Sequence, residues 1–164
     1  MLRRVLAPAA ILVLILSGSA FAGPSALRWP PWLSIESPVN PYDPATRDAV
    51  LLVHTTVRDG HTTVADLSGS AEGLVGGTRR SVPLRFDTTA HSGVYAVRRQ
   101  WPLDGTWLLR ITLLGHTTAL VTLGPSGDVV AARVPTRRST GVVLPRAVAA
   151  AEIDSALAIV ARTQ

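Results

Sequence analysis

Between Ala49 and Val134 apolar and polar residues alternate with a period of two, and turn residues interrupt the pattern at roughly 8–12-residue intervals. That period belongs to strands, whose successive side chains point to opposite faces. Thr, Val and Leu dominate the stretch, as suits pleated, half-buried surfaces. Strands do not alternate with helical segments, which argues against a parallel sheet. The pattern predicts an all-β, antiparallel sandwich of seven or eight strands over 45–134.

The individual strands follow from the same alternation. Ala49 to Arg58 and His61 to Leu67 flank Asp59-Gly60, the strongest short hairpin signal. A two-residue loop there sets Arg58 opposite His61, Thr55 opposite Val64 and Leu52 opposite Leu67, with Leu51, Val53, Thr55, Val57 and Val64 on the core face. Gly69 to Thr78, carrying four glycines, reads as loop. Val82, Leu84 and Phe86 mark the next strand, Tyr95 and Val97 another, and Trp107, Leu109, Ile111 and Leu113 a third. Thr117 to Leu123, a turn at Gly124-Pro125-Ser126-Gly127, and Asp128 to Val134 make a last hairpin. The expected interior contains Val53, Leu84, Phe86, Trp107, Leu109 and Ile111.

The flanks differ in kind. Residues 23–44 hold six prolines, a density that forbids helix, so this arm is extended. Trp32-Leu33-Ser34-Ile35-Glu36 fits a short edge strand, with Trp29 and Trp32 pinning the arm to the body. Residues 135–146 read as a polar linker. In 147–162 the period changes: Ile153, Leu157 and Val160 recur at helical spacing among alanines, predicting a short C-terminal helix that packs on the sandwich or on a partner.

Residues 1–22 have a different purpose. Arg3 and Arg4 form a positive start, Val5 to Leu16 an apolar stretch, and Ala20-Phe21-Ala22 a cleavage pattern before Gly23. The strongly apolar run falls short of the ~20 residues that span a bilayer. This segment reads as a signal peptide, a retained anchor being the alternative, and it predicts an exported protein, periplasmic or secreted. Cleavage leaves 14 arginines against 11 acids, a net charge of +3. That mild excess, in an exported chain, argues against a nucleic-acid partner.

Every basic residue other than His is Arg, and there is no Lys or Cys. A P-loop lysine, a Schiff base, a Ser-Lys dyad, disulfides and thiolate metal sites are therefore excluded. Gly69-Ser70-Ala71-Glu72-Gly73 places its serine one position early for a nucleophile elbow and lacks a following helix, so it reads as a turn. Gly73-Leu74-Val75-Gly76-Gly77 has the wrong spacing for a dinucleotide fingerprint. Nothing points to catalysis, and no cofactor is called for.

Gly93-Val94-Tyr95, followed by Pro102-Leu103-Asp104-Gly105-Thr106-Trp107-Leu108-Leu109-Arg110-Ile111, resembles the closing strands of exported immunoglobulin-like domains of the YtkA/FixH type. Glycine makes each turn and the aromatic begins the inward row. The resemblance is specific over about 20 residues. It implies an immunoglobulin-like fold and an association with cation or copper handling near the bacterial membrane. The Met- and His-rich ligands of such a role are missing, so only the fold carries over.

Two constellations remain. His54-Thr55-Thr56 recurs as His61-Thr62-Thr63 and His116-Thr117-Thr118. On the hairpin register His54 and His61 lie roughly 13 Å apart, at about 3.3 Å per residue, too far to share one zinc ion. No metal site is expected. If the Val82–Phe86 and Tyr95–Val97 segments pair across the Thr88–Ser92 loop, Arg79, Arg80, Arg98 and Arg99 gather at one hairpin end beside Trp101. Arginine forks suit carboxylate or phosphate, and a Trp face suits sugars or cations. These five are the candidate binding residues. The expected function is thus an exported, non-catalytic binding or accessory protein whose partner is a protein or envelope component, an anionic surface included; the alternatives are a periplasmic cation- or copper-handling accessory of the YtkA/FixH type and an envelope module that binds anionic glycan or lipid through the arginine cluster. A membrane tether arises only if the signal is retained.

Overall fold

A computed structural model describes residues 30–57 and 62–163. The expected signal segment, Trp29, His61 and the Asp59-Gly60 turn lie outside the described residues. The chain forms β1 (Trp32–Glu36), β2 (Leu51–Thr56), a 3-10 turn (Val64–Asp66), β3 (Leu67–Val75), β4 (Thr78–Pro83), β5 (Asp87–Thr88) and β6 (Val94–Val97). There follow β7 (Thr106–Leu113), β8 (Thr117–Leu123), β9 (Val129–Arg133), β10 (Thr136–Ser139), β11 (Val142–Pro145) and helix α1 (Ala150–Thr163).

Two antiparallel sheets make a sandwich-like body, one ordered β1-β2-β6-β5 and the other β4-β3-β7-β8-β9. Their facing surfaces share one core. Leu33, Leu51, Val53, Tyr95 and Val97 come from the first sheet, and Trp107, Leu109, Ile111, Leu113, Ala119, Val121 and Leu123 from the second. Leu84, Phe86 and Trp101 close it. All six residues expected inside are buried. The expected edge strand is β1, which among the described residues pairs only with β2. The tyrosine of the Gly93-Val94-Tyr95 motif lies in one sheet and the tryptophan of Gly105-Thr106-Trp107 in the other.

Row alternation in β7 serves two cores at once. Trp107, Leu109, Ile111 and Leu113 face the sandwich interior, while Leu108, with Leu120 of β8, turns outward. Helix α1 covers that outward pair with Ile153, Ala156 and Leu157. The helical stripe therefore packs on this chain's own sheet. Burying one such leucine or isoleucine stabilises the fold by about 1.5–3 kcal/mol.

Several expectations are corrected. The strand pairing across Asp59-Gly60 does not form: Leu52 lies opposite Glu36 and Ala96, and Leu67 opposite Leu113. Both edges of β2 are taken by β1 and β6, so β3 opens the other sheet. The segment 69–75, read as loop and turn, is most of β3, and Ser70 and Glu72 are buried within it. Its glycines are strand glycines set where neighbours come close. A Cβ at Gly69 would lie 2.7 Å from the Arg110 carbonyl oxygen. The turn proper is Gly76-Gly77, both with positive φ, linking paired Val75 and Thr78.

The polar linker at 135–146 is a hairpin, β10–β11, closed by a two-residue Thr140-Gly141 loop with both residues at positive φ. Eleven strands thus occur among the described residues instead of seven or eight. Helix α1 starts three residues later than expected, at Ala150. The Glu152 carboxylate accepts from the Ala149 amide and from both terminal nitrogens of Arg146, at 2.6–3.2 Å. The Glu152 carboxylate thus satisfies an amide at the helix start and ties that start to Arg146. The hydrogen bonds hold the Glu152 carboxyl down at about 2.

Candidate functional site

The expected arginine cluster is dispersed. Val82 of β4 pairs with Ala71 of β3, while β6 pairs with β2 and β5 in the opposite sheet. Consecutive strand residues also point to opposite faces, which separates Arg79 from Arg80. Arg79 turns to the helix side, where it pairs with Glu72 at 3.2 Å and with Asp154 of α1. Arg80 is exposed opposite Gly73. Arg98 pairs with Asp87 and donates to the Ala45 carbonyl at 2.9 Å. Trp101 is buried in the sandwich core, so its ring packs against the interior and offers no face to a ligand.

Arg99 goes elsewhere. One terminal nitrogen donates to the Ser126 carbonyl at 2.8 Å, and the guanidinium lies over Gly127, where a side chain would displace it. It lines a cleft of about 560 Å³ built from four separate chain segments: 37–39, 47–50, Arg99 and 126–129. Arg47 lines the same cleft, and among the described residues its guanidinium has no hydrogen-bond or ion-pair partner.

A local turn positions Arg47. The Asp43 carboxylate accepts from the Thr46 hydroxyl at 2.7 Å and from the Ala45 amide at 3.0 Å, while the Arg47 amide donates to the Asp43 carbonyl at 2.8 Å. The Thr46 hydroxyl and then the Ala45 amide hold the Asp43 carboxyl below its ordinary value. Asp-Pro-x-Thr is a turn signature. It is legible at 43–46 and would have flagged Arg47 as the residue that turn presents. The cleft also holds one acid, Asp128, whose carboxyl is lowered chiefly by the Ser126 hydroxyl. Two guanidiniums against one carboxylate leave the cleft net positive.

A second polar cluster lies on the opposite face of the five-stranded sheet. Glu72 is 6% exposed and accepts from Ser70 Oγ at 2.6 Å, Ser81 Oγ at 3.0 Å and Arg79 at 3.2 Å. Burial raises its carboxyl, but these hydrogen bonds outweigh it and the net shift is downward. Register explains the convergence, since Ser70, Glu72 and Leu74 of β3 sit opposite Pro83, Ser81 and Arg79 of β4 on one face. Glu72 takes all three of these donors and Arg79 also reaches Asp154 of α1, so the cluster is a joint between sheet and helix.

His54 Nε2 donates to the Glu36 carboxylate at 2.7 Å, and His116 is exposed in the β7–β8 turn. Among the described residues no three His, Asp or Glu side chains come together as metal ligands. No known protein family, curated protein or solved structure matches the chain.

Proposed function

We propose that this chain is an exported, immunoglobulin-like binding module that acts without catalysis, and that it takes an anionic group of a protein or envelope component in the Arg47–Arg99 cleft. The observation that carries this reading is the pair of guanidiniums in one concave site, with Arg47 unpartnered among the described residues. Guanidinium forks match carboxylate and phosphate. Arg99 is fixed on the Ser126 carbonyl and Arg47 is set on a hydrogen-bonded turn, so little ordering is needed when a ligand arrives. Export is supported by the 1–22 pattern, and the immunoglobulin-like reading by two face-packed antiparallel sheets and the Gly-x-Tyr and Gly-x-Trp strands.

The test uses inorganic phosphate and citrate as probes, followed by calorimetry at low and physiological salt. The parent binds at low salt and more weakly as salt rises, because exposed charges are screened over about 8–10 Å. Arg47→Gln combined with Arg99→Gln abolishes that binding while the melting temperature stays near the parent's. Equal binding by parent and variant removes the cleft as the site.

A further inference from the structure

We infer that the β10–β11 hairpin is a docking device for a bilayer surface carrying anionic lipids. From Val129 through Ala151 the chain contains no acidic residue, yet it contains Arg133, Arg137, Arg138 and Arg146. Arg146 is committed to Glu152. Arg137 and Arg138 are exposed, and among the described residues their guanidiniums have no hydrogen-bond or ion-pair partner, while Arg133, also exposed, lies near enough to Glu152 to join Arg146 in lowering its carboxyl.

Apolar side chains accompany these charges. Val142 and Val143 are half exposed, at 50% and 52%, and register sets Val143 directly opposite Arg138 and Leu144 opposite Arg137. Each face of the hairpin therefore joins a guanidinium to an aliphatic side chain. The hairpin is a separate two-stranded sheet, rooted where the Arg146 amide meets the Pro135 carbonyl and the Arg146 carbonyl meets the Thr118 amide. Beyond that root it touches the other elements only marginally. An isolated hairpin with bare valines is a poor construction for stability alone.

Exposure and charge select the occupant. The hairpin tip is exposed from Thr140 to Val143 and takes no part in the Arg47–Arg99 cleft. A plane of anionic headgroups over hydrocarbon accepts both parts at once, the arginines at phosphate level and the valines below it. Arginine retains its charge throughout and binds phosphate through its fork. The inference stands apart from the cleft and does not need it.

The experiment is sedimentation of the purified protein with two kinds of vesicle, phosphatidylcholine alone and equal parts phosphatidylcholine and phosphatidylglycerol. The parent binds the mixed vesicles and releases them as salt rises, with little binding to the neutral ones. Each arginine near an anionic surface is worth about fivefold, so Arg137→Gln with Arg138→Gln weakens binding roughly 25-fold. Val142→Ser with Val143→Ser weakens it too, at low and high salt alike. Arg47→Gln with Arg99→Gln leaves it intact, which separates this device from the cleft. The hairpin variants keep the parent's melting temperature, because the hairpin lies outside both cores. Equal binding by parent and arginine variant overturns the inference. So does parent binding to polyglutamate with none to mixed vesicles, which assigns the hairpin to an acidic macromolecule instead.

Discussion

The Trp107 indole lies across Gly73, its directly paired neighbour on β3, so closely that a Cβ on Gly73 would sit 2.5 Å from the ring. The indole nitrogen donates to the Asp104 carbonyl at 2.8 Å, which holds the ring in that orientation. A large aromatic and an absent side chain thus fill one site between the sheets.

Replacing Trp107 by Ala is expected to cost about 3–5 kcal/mol, and Gly73→Ala about 1–3 kcal/mol through overpacking. The two are coupled: once the ring is gone, the added methyl at position 73 enters empty space and its penalty falls away. Urea unfolding of both single variants and the double variant measures this. Strict additivity would show that the ring does not occupy the space over Gly73.

Helix α1 is part of the domain's own core. Leu157 is 2% exposed and belongs to the cluster with Leu108 and Leu120, so Leu157→Ala should cost about 2–5 kcal/mol. Truncation after Pro145 should expose Leu108 and Leu120 and make the protein bind hydrophobic dyes. A truncated chain that melts like the parent and binds no dye would mean that the helix does not cover the sheet.

Much of this fold is legible where one local rule acts alone. The alternation from Trp107 to Leu113, the hairpin from Thr117 to Arg133 and the helical stripe of Ile153 and Leu157 each follow from a single period. Segments where a distant residue decides are not legible. Gly69 and Gly73 look like loop until the Arg110 carbonyl and Trp107 are known to lie against them. Asp59-Gly60 looks like a hairpin because nothing local shows that β1 and β6 occupy both edges of β2. The 136–145 hairpin is hidden because β10 is wholly polar, Thr136-Arg137-Arg138-Ser139, and β11 an unbroken Val142-Val143-Leu144 run, so neither alternates. The arginine dipeptides are plain in the sequence, but their grouping depends on a strand pairing that β3 and β2 pre-empt. Of the four, Arg99 alone lines the cleft that holds Arg47, and that cleft draws on four segments far apart in sequence.

The N-terminal pattern yields its own expectation. Material recovered from the periplasm or medium of a bacterial host should begin at Gly23, because Ala20-Phe21-Ala22 satisfies a signal peptidase. N-terminal sequencing decides it. Recovery of chains beginning at Met1, confined to the membrane fraction, would make residues 1–22 an anchor.

Acid should loosen the joint between sheet and helix through Glu72. Its carboxyl is held below the ordinary 4.5 in the folded protein, burial opposing and the Ser70, Ser81 and Arg79 hydrogen bonds prevailing. The unfolded chain therefore takes up a proton at this site more readily than the folded one. The resulting stability is fully present above the unfolded-state value and is lost as pH falls through the folded one. Glu72→Gln keeps the shape but removes the charge that Arg79 faces and turns one acceptor into a donor toward the serine hydroxyls. It should lower stability at neutral pH by about 1–3 kcal/mol, as expected when buried hydrogen-bonding groups lose their partner. Below the ordinary carboxyl range the parent loses this advantage, so the two melting curves should converge. The measurement is thermal unfolding of parent and variant from about pH 7 down to about pH 3, spanning the unfolded-state titration. A constant gap across that range would show that the Glu72 charge contributes nothing to the joint and that the variant acts through packing alone.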